Sequence, residues 1–272
     1  MIKMIATDMD QTFLDNQNQY NKQRFSEIFQ EMQRQNIHFV AASGSQHERL
    51  QALFEPQAEQ MDFISQNGSI IYSGNELIDV QQIYPKLLQD TLDSINQAFG
   101  PDEILINICG LNSSYVDTNT TPDVMNFIKN FYKEIQTVDD INHFTKSGIE
   151  DPIVKIALSF EDSPNINQKI ERLRSLLDPT LGSLSSGFNT ELIGFSHVDK
   201  STALQHLMQR YNVNADELVT FGDNENDLRM LQMTPNGYAI QNAFSKVKAV
   251  ANHLTRYDNE HDGVLDTLEK LL

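Results

Sequence analysis

The sequence changes its hydrophobic pattern twice, and this change most constrains the fold. Near both ends of the chain, the short runs 2–7, 37–42 and 217–222 are largely apolar. Such runs are typical of buried strands in a parallel sheet that helices cover on both faces. In residues 83–187 the strands instead alternate apolar and polar residues, which indicates a sheet with one covered face. The pattern therefore predicts a core built from both ends of the chain, interrupted by an inserted module.

Helical stretches separate the predicted strands. Apolar side chains recur at helical spacing after the first strand, at Phe25, Ile28, Phe29 and Met32. Alternation of strands and helices is typical of α/β proteins, whereas the middle segment fits an α+β module. We therefore expect an α/β fold with a Rossmann-like parallel-sheet core, formed by residues 1–82 and 188–272, and an inserted α+β domain at 83–187.

The clearest strand of the inserted module covers residues 154–160. Four apolar side chains there alternate with Lys155, Ala157 and Ser159. This period of two predicts a half-buried strand in an antiparallel sheet with one solvated face.

The charge balance limits the partners. The formal net charge is −18, and phosphate-backbone binding needs a surplus of lysine and arginine. We therefore expect neither nucleic acid nor an anionic membrane as a partner. A small anionic substrate would need local cations or a metal ion, and the sequence carries no signal for an oligomeric state.

The cysteine content and the N-terminus bear on the compartment. Cys109 is the sole cysteine and lies in an apolar run, so we expect a buried, inert thiol. The first apolar run is too short for a signal peptide, and no run reaches transmembrane length. A reducing cytoplasm is the expected location.

Two carboxylates, Asp8 and Asp10, follow directly on the first predicted strand. They repel each other, and burial near a core penalises both charges. A cation or a reaction that uses them would make the pair tolerable. A solvated pair in a turn is the structural alternative, because aspartate is common in turns.

Further polar residues follow other core strands or begin the next helix. These are Ser43 with Gly44, Lys200, and the acidic stretch 222–227. In an open parallel sheet the carboxyl ends of the strands share one edge, where ligands bind. We expect these groups to meet there, with acids for a metal and a hydroxyl, amides and a lysine for an anion. Taken singly, Ser43 is more often a turn or capping residue and Lys200 a solvated residue at a helix start, and the acidic stretch fits a helix N-terminus.

Together these motifs resemble those of the haloacid dehalogenase (HAD) superfamily. Residues 8–12 read Asp-Met-Asp-Gln-Thr and resemble the first motif, Ser43 the second, and Lys200 the third. Residues 222–227 match the Gly-Asp-x-x-Asn-Asp form of the fourth motif. That form, with a large insertion, is typical of the Cof-like branch. Residues 42–46 and 186–188 are similar to its sugar phosphatases.

The resemblance implies a HAD-like core with a cap domain, and a Mg²⁺-dependent phosphatase of small phosphorylated metabolites, above all sugar phosphates. Asp8 would attack phosphorus and form an aspartyl-phosphate, and Asp10 would be the general acid and base. The implied metal residues are Asp8, Asp10 through its backbone carbonyl, Asp223 and Asp227, the last orienting Lys200 or a metal-bound water. The implied phosphate-binding residues are Ser43, Gly44, Lys200 and Asn226.

Two positions depart from the branch pattern. Gln11 stands where the branch has Gly, so a positive φ there would be strained. Ser45 stands where an arginine often follows Gly44, which removes a cation.

The inserted domain would exclude water from the reaction and select the leaving group. From position alone, we expect contacts with the substrate from residues 187–189 and Glu191. Other functions remain open: a phosphate-responsive binding or regulatory protein, or a sugar phosphotransferase or mutase. A dinucleotide-binding oxidoreductase is disfavoured, because no Gly-x-Gly-x-x-Gly follows the first strand.

Overall fold

Strands and helices alternate along the chain in the computed structural model, which describes residues 1–186 and 189–272. The strands are β1 (Met4–Asp8), β2 (His38–Ala42), β3 (Asp62–Ser65), β4 (Ile70–Ser73), β5 (Glu76–Val80), β6 (Ile104–Gly110), β7 (Ser114–Asp117), β8 (Ile135–Val138), β9 (Ile153–Phe160), β10 (Leu181–Ser185), β11 (Thr190–Phe195), β12 (Leu218–Gly222), β13 (Asn236–Ala239) and β14 (His253–Leu254). The helices are α1 (Lys22–Arg34), α2 (His47–Phe54), α3 (Pro85–Ala98), α4 (Pro122–Ile128), α5 (Ile166–Leu176), α6 (Lys200–Tyr211), α7 (Leu228–Gln232), α8 (Ser245–Lys248) and α9 (Gly263–Leu271).

The chain divides into two compact units. The first comprises Met1–Ile78 and Asp199–Leu272, and the second comprises Asp79–Val198. The sequence predicts the second boundary earlier, between 187 and 188. The difference arises at β11, which pairs antiparallel with β9 and β10 and so belongs to the sheet of the second unit.

The first unit contains an eight-stranded sheet in the order β14-β13-β12-β1-β2-β3-β4-β5. The pairs from β14 to β3 are parallel, and β4 runs antiparallel to β3. In register, Thr7 lies opposite Phe221 and Asp8 lies opposite Ala42. The carboxyl ends of β12, β1 and β2 therefore lie side by side, as the parallel-sheet prediction requires.

Two apolar layers cover this sheet. Successive side chains of a strand point to opposite faces, so Ile5 joins the layer that contains Phe25 of α1, whereas Met4 joins the layer that contains Leu204 of α6. The predicted apolar face of α1 is buried, with Phe25 and Met32 fully so. Helices on both faces explain why the core strands are apolar throughout, and they confirm the α/β class.

The second unit contains a six-stranded sheet in the order β10-β11-β9-β6-β7-β8. Its described pairs are antiparallel except β7 with β8. One face packs on α3 and α5 through an apolar cluster that includes Leu92, Ile156 and Leu173. The unit is thus an α+β structure, as expected.

The prediction of a half-buried β9 is wrong. Lys155 and Ala157, on the face expected to be solvated, are both buried. The reason is a second apolar cluster in which Ile128 and Tyr132 pack with Cys109 and Ala157 and so cover that face. The buried thiol of Cys109 is confirmed. Within the described residues, none of the helices is both long and apolar enough to span a bilayer.

Candidate active site

Asp8 ends the central strand β1 and lies in a buried cluster of charges. Its side chain contacts the ammonium of Lys200, with 2.5 Å between Oδ1 and Nζ. Lys200 is fully buried and also donates to Asp227 Oδ1 at 2.7 Å. The structure therefore brings together three of the residues predicted for the site, from β1, α6 and the loop after β12.

Both carboxylate oxygens of Asp227 are engaged. Oδ1 accepts from Lys200, and Oδ2 accepts from the backbone amides of Asp223 and Asn224 at 3.0 and 3.1 Å. Gly222 makes this loop possible, because a Cβ there would lie 2.4 Å from the Cβ of Asp227. Of the two roles suggested for Asp227, the contacts favour the orientation of Lys200.

Lys200 is the first residue of α6, where the helix dipole disfavours a positive charge. Asp199 caps the helix through the amides of Ser201 and Thr202 at 2.8 and 2.9 Å. Burial lowers the pKa of Lys200, but the charges of Asp227 and Asp8 outweigh it, so the pKa lies above its ordinary value. The lysine is therefore held as a cation inside the protein.

Burial and mutual repulsion disfavour the ionised forms of the carboxylates in this cluster. Burial raises the pKa of Asp8 well above its ordinary value, against the charge of Lys200 and with help from Asp227 and Asp223. Burial and the charge of Asp227 also raise the pKa of Asp223, to about 6. When all three carboxylates are ionised, one lysine leaves an excess of two negative charges. A divalent cation would remove that excess.

The donor set fits a hard cation. One carboxylate oxygen from each of Asp8, Asp223 and Asp227 lies within 4.8 Å of the others, and all three residues are buried. Carboxylate oxygens are the ligands preferred by Mg²⁺ and similar ions. Thr12 donates its hydroxyl to Asp223 Oδ1 at 2.9 Å, which orients that carboxylate toward the cluster. The donor chemistry is thus compatible with the expected magnesium.

The side chain of Asp10 points toward helix α2. Its carboxylate forms an ion pair with Arg49 of α2, with 2.7 Å between Oδ1 and Nη2. Sequence reasoning did not identify Arg49. The available signal was its position near the start of α2, the helix that follows the loop with Ser43 and Gly44.

The predicted anion-binding residues are connected through Asn67. The backbone amide of Asn67 donates to the backbone carbonyl of Ser43 at 2.9 Å. The side-chain Oδ1 of Asn67 accepts from Asn226 Nδ2 at 3.1 Å. Asn67 also packs on Gly44, where a Cβ would lie 3.3 Å from its Nδ2. No sequence motif identifies Asn67, yet it joins the loops after β2 and β12.

The turn around Asn67 has an unusual backbone. Gln66, Asn67 and Gly68 all have positive φ, at 51, 56 and 105°. A Cβ on Gly68 would lie 2.2 Å from the carbonyl oxygen of Asp199. This glycine therefore lets the turn approach the start of α6, which carries Lys200.

The expected strain at Gln11 is present, since its φ is 61°. A non-glycine residue pays a steric cost in this left-handed region. The position between Asp10 and Thr12 thus keeps the backbone turn that the resemblance associates with glycine.

The residues expected to touch the substrate from the inserted segment differ in their surroundings. Glu191 is fully buried and accepts from Arg174 Nε at 3.0 Å, so its carboxylate is committed to the second unit. Asn189 has a φ of 54°, and its carbonyl accepts from the amide of Phe160. Residues 187 and 188 lie outside the described part of the chain.

Comparisons with known proteins identify the family. A family model described as haloacid dehalogenase-like hydrolase matches residues 5–268. The whole chain is 30% identical to the 5-amino-6-(5-phospho-D-ribitylamino)uracil phosphatase YbjI of Escherichia coli K12, of which the match covers 96%. Kanosamine-6-phosphate phosphatase of Bacillus subtilis 168 is 28% identical over 65% of this chain and 59% of its own length.

A solved structure extends the likeness to the fold. SMU.1108c of Streptococcus mutans UA159 is 28% identical and superposes with a TM-score of 0.89, over 100% of this chain and 99% of that one. The chain therefore belongs to the haloacid dehalogenase-like hydrolase family, as its four motifs indicated. It is an enzyme of the phosphoric monoester hydrolase class, to which the named relatives belong.

Proposed function

We propose that the protein is a Mg²⁺-dependent phosphatase of small phosphorylated metabolites, with sugar phosphates as the main class, and that it acts through an aspartyl-phosphate on Asp8. The observation that carries this proposal is the contact of Asp8 with the buried ammonium of Lys200 at the end of β1. A nucleophilic carboxylate beside a fixed cation suits attack on an anionic phosphate, because the cation offsets their repulsion.

The first half of the reaction is transfer to the enzyme. Asp8 attacks phosphorus, the new bond joins its carboxylate oxygen to phosphorus, and the bond from phosphorus to the ester oxygen breaks. Asp10 donates a proton to the departing ester oxygen, which leaves as an alcohol.

The second half releases phosphate. Water attacks phosphorus, Asp10 takes a proton from that water, and the bond between phosphorus and Asp8 breaks. The enzyme is restored with Asp10 protonated for the next turnover. Splitting one difficult displacement into two steps is the general advantage of covalent catalysis.

Asp8, Asp223 and the backbone carbonyl of Asp10 would hold Mg²⁺, which supplies positive charge between the nucleophile and the phosphate when bound. Asp227 holds Lys200 in place, and Lys200 with the Ser43 hydroxyl binds the phosphoryl oxygens. Gly44 contributes its amide, and Asn226 adds a contact, braced by Asn67.

The relatives support the substrate class. The names of the two relatives place a phosphate on a ribityl chain or on kanosamine. Both are small polyhydroxylated phosphate esters, and we carry that class to this chain. We also retain a reducing, cytoplasmic location, supported by a single buried cysteine.

Phosphate release from a panel of sugar phosphates, nucleotides and an aryl phosphate tests the proposal. The assay is run with Mg²⁺, with a chelator, and with Asp8→Asn. We expect metal-dependent release that Asp8→Asn abolishes. Asp216→Asn is the matched control, because it makes the same chemical change at an exposed position before β12 and should leave release intact.

Two results would overturn the proposal. If folded, Mg²⁺-supplied protein releases no phosphate from any compound, the phosphatase proposal is wrong and a phosphate-responsive binding role becomes the better account. If Asp8→Asn releases phosphate as fast as the unchanged protein, the mechanism on Asp8 is wrong.

A further inference from the structure

Asp10 and Arg49 form a two-pronged ion pair beside the proposed active site. Arg49 Nη2 donates to Asp10 Oδ1 at 2.7 Å, and Nη1 donates to Oδ2 at 3.1 Å. The Asp10 side chain is 40% exposed, whereas that of Arg49 is only 13% exposed. An exposed carboxylate is normally free to change its rotamer, so the buried partner determines where this one points.

Arg49 is itself fixed by two further contacts. Nη1 donates to the Ser45 hydroxyl at 2.6 Å, and Nη2 donates to Asn18 Oδ1 at 3.1 Å. Its planar guanidinium therefore has a set orientation before it meets the carboxylate. Paired, parallel hydrogen bonds between arginine and a carboxylate give geometric precision as well as attraction.

We propose that Arg49 is a positioning residue that aims the Asp10 carboxylate at the ester oxygen of the substrate. The inference rests on the proposed function, since Asp10 moves a proton only if the chain is a phosphatase. Arg49 touches neither substrate nor reacting atoms in this account and acts through Asp10 alone.

Two other roles for Arg49 make different predictions. As a tether between Asn18 and α2 it would affect stability but not the dependence of rate on the leaving group. As a direct phosphate ligand it would affect all phosphate esters equally. A positioning role affects esters in proportion to their need for a proton on the leaving oxygen.

The test compares kcat/KM for phenyl phosphate and 4-nitrophenyl phosphate, which are similar in size. Nitrophenolate is a weaker base, so its departure needs less help from an acid. For Arg49→Gln we expect kcat/KM to fall by about 10- to 100-fold with phenyl phosphate and by at least fivefold less with 4-nitrophenyl phosphate, within the usual range of general acid catalysis. Arg49→Lys keeps the positive charge but not the paired hydrogen bonds of the guanidinium. Its kcat/KM with phenyl phosphate should fall less than that of Arg49→Gln.

Coupling between the two residues provides the second readout. In the Asp10→Asn background, Arg49→Gln should cause no further loss, because the carboxylate that it positions is gone. Ser45→Ala, which removes one support of Arg49, should give a smaller loss with the same leaving-group dependence. Arg210→Gln is the matched control: Arg210 pairs with Glu76 at 3.0 Å and is 41% exposed, and its loss should leave both rates unchanged.

Equal losses for the two substrates, no loss in folded Arg49→Gln, or a further loss in the Asp10→Asn background would each overturn the positioning role. Thermal unfolding of each variant checks that the protein is folded. The proposed function fails separately, if the folded, Mg²⁺-supplied protein releases no phosphate from any compound.

Discussion

Two buried lysines, one in each unit, have opposite electrostatic surroundings. Lys200 in the first unit contacts two carboxylates, and its pKa lies above its ordinary value although burial opposes this. Lys155 on β9 is 3% exposed, and burial lowers its pKa, against the charge of Cys109. Its ammonium lies 6.0 Å from the ring centre of Tyr132.

The pKa of a buried lysine depends on the charges around it as well as on its burial. Burial favours the neutral form of a lysine, and at Lys155 burial is the larger influence on the pKa. Two carboxylates, one of them fixed by backbone amides, reverse that preference at Lys200. The first unit thus maintains a charged cluster at a cost in desolvation, and such arrangements concentrate at functional sites.

Replacing each lysine by methionine tests this contrast most strongly. For Lys200→Met we expect phosphate release to fall by at least about 100-fold, since a fixed cation at the phosphate is lost. The free energy of unfolding should fall by about 3–5 kcal/mol, because buried carboxylates lose their partner. For Lys155→Met the free energy should change by no more than about 1 kcal/mol, since methionine fills the space without a charge to desolvate.

Urea unfolding monitored by circular dichroism, together with the release assay, measures both effects. A larger destabilisation from Lys155→Met than from Lys200→Met would contradict the contrast. Lys270→Met at an exposed position on α9 controls for loss of a lysine charge as such.

Metal affinity should depend on pH through Asp223. Its pKa in the metal-free protein is raised to about 6 by burial and by the charge of Asp227. A cation binds the ionised carboxylate, so below pH 6 it must displace a proton, and affinity should fall by about tenfold per pH unit. Titration calorimetry with Mg²⁺ from pH 5 to pH 8 checks this. A constant dissociation constant across that range would show that Asp223 does not limit binding.

Lys155 should lower stability at neutral pH and lose that effect in alkaline solution. Its pKa is depressed in the folded protein, whereas the unfolded chain has the ordinary value of 10.5. Between these values the unfolded state binds more protons, so stability rises with pH. Relative to Lys155→Met, the unchanged protein should become more stable as the pH rises from 7 to 10. A difference in unfolding free energy that stays constant with pH would contradict this.

A change of backbone strain without a change of charge gives the smallest effect. Gln11 has a φ of 61°, so Gln11→Gly should raise the free energy of unfolding by up to about 1 kcal/mol. Gln11→Val should lower it by about 1–2 kcal/mol, because β-branched residues fit this region poorly. Thermal unfolding orders the three proteins, and a more stable valine variant would contradict the role of strain.

The core and the charged cluster were predictable because the signals are local. A run of apolar residues that ends in Asp8 predicts a strand end, and parallel strands bring their ends to one edge. The motifs around Lys200 and Asp223 then give the composition of the cluster. The site residues that were missed depend on contacts between loops, as Asn67 does with Asn226.

The second unit was harder to predict, since its surroundings are set by distant residues. The alternation in β9 suggests a solvated face, but Tyr132 and Ile128 fold onto it from another segment. The ion pair of Asp10 with Arg49 similarly joins a loop after β1 to a helix after β2. Period and spacing carry no information on which segment covers a face.

The most direct test of the account is to locate the phosphoryl group on the enzyme. The protein is mixed with a phosphomonoester that it hydrolyses in Mg²⁺, quenched in acid within the first turnover, and reduced with borohydride before peptide mass spectrometry. The account predicts that Asp8 is converted to the reduced residue, and that this is absent in Asp8→Asn. A reduced residue at another position would contradict the central role of Asp8. So would the absence of any reduced residue while the enzyme is turning over.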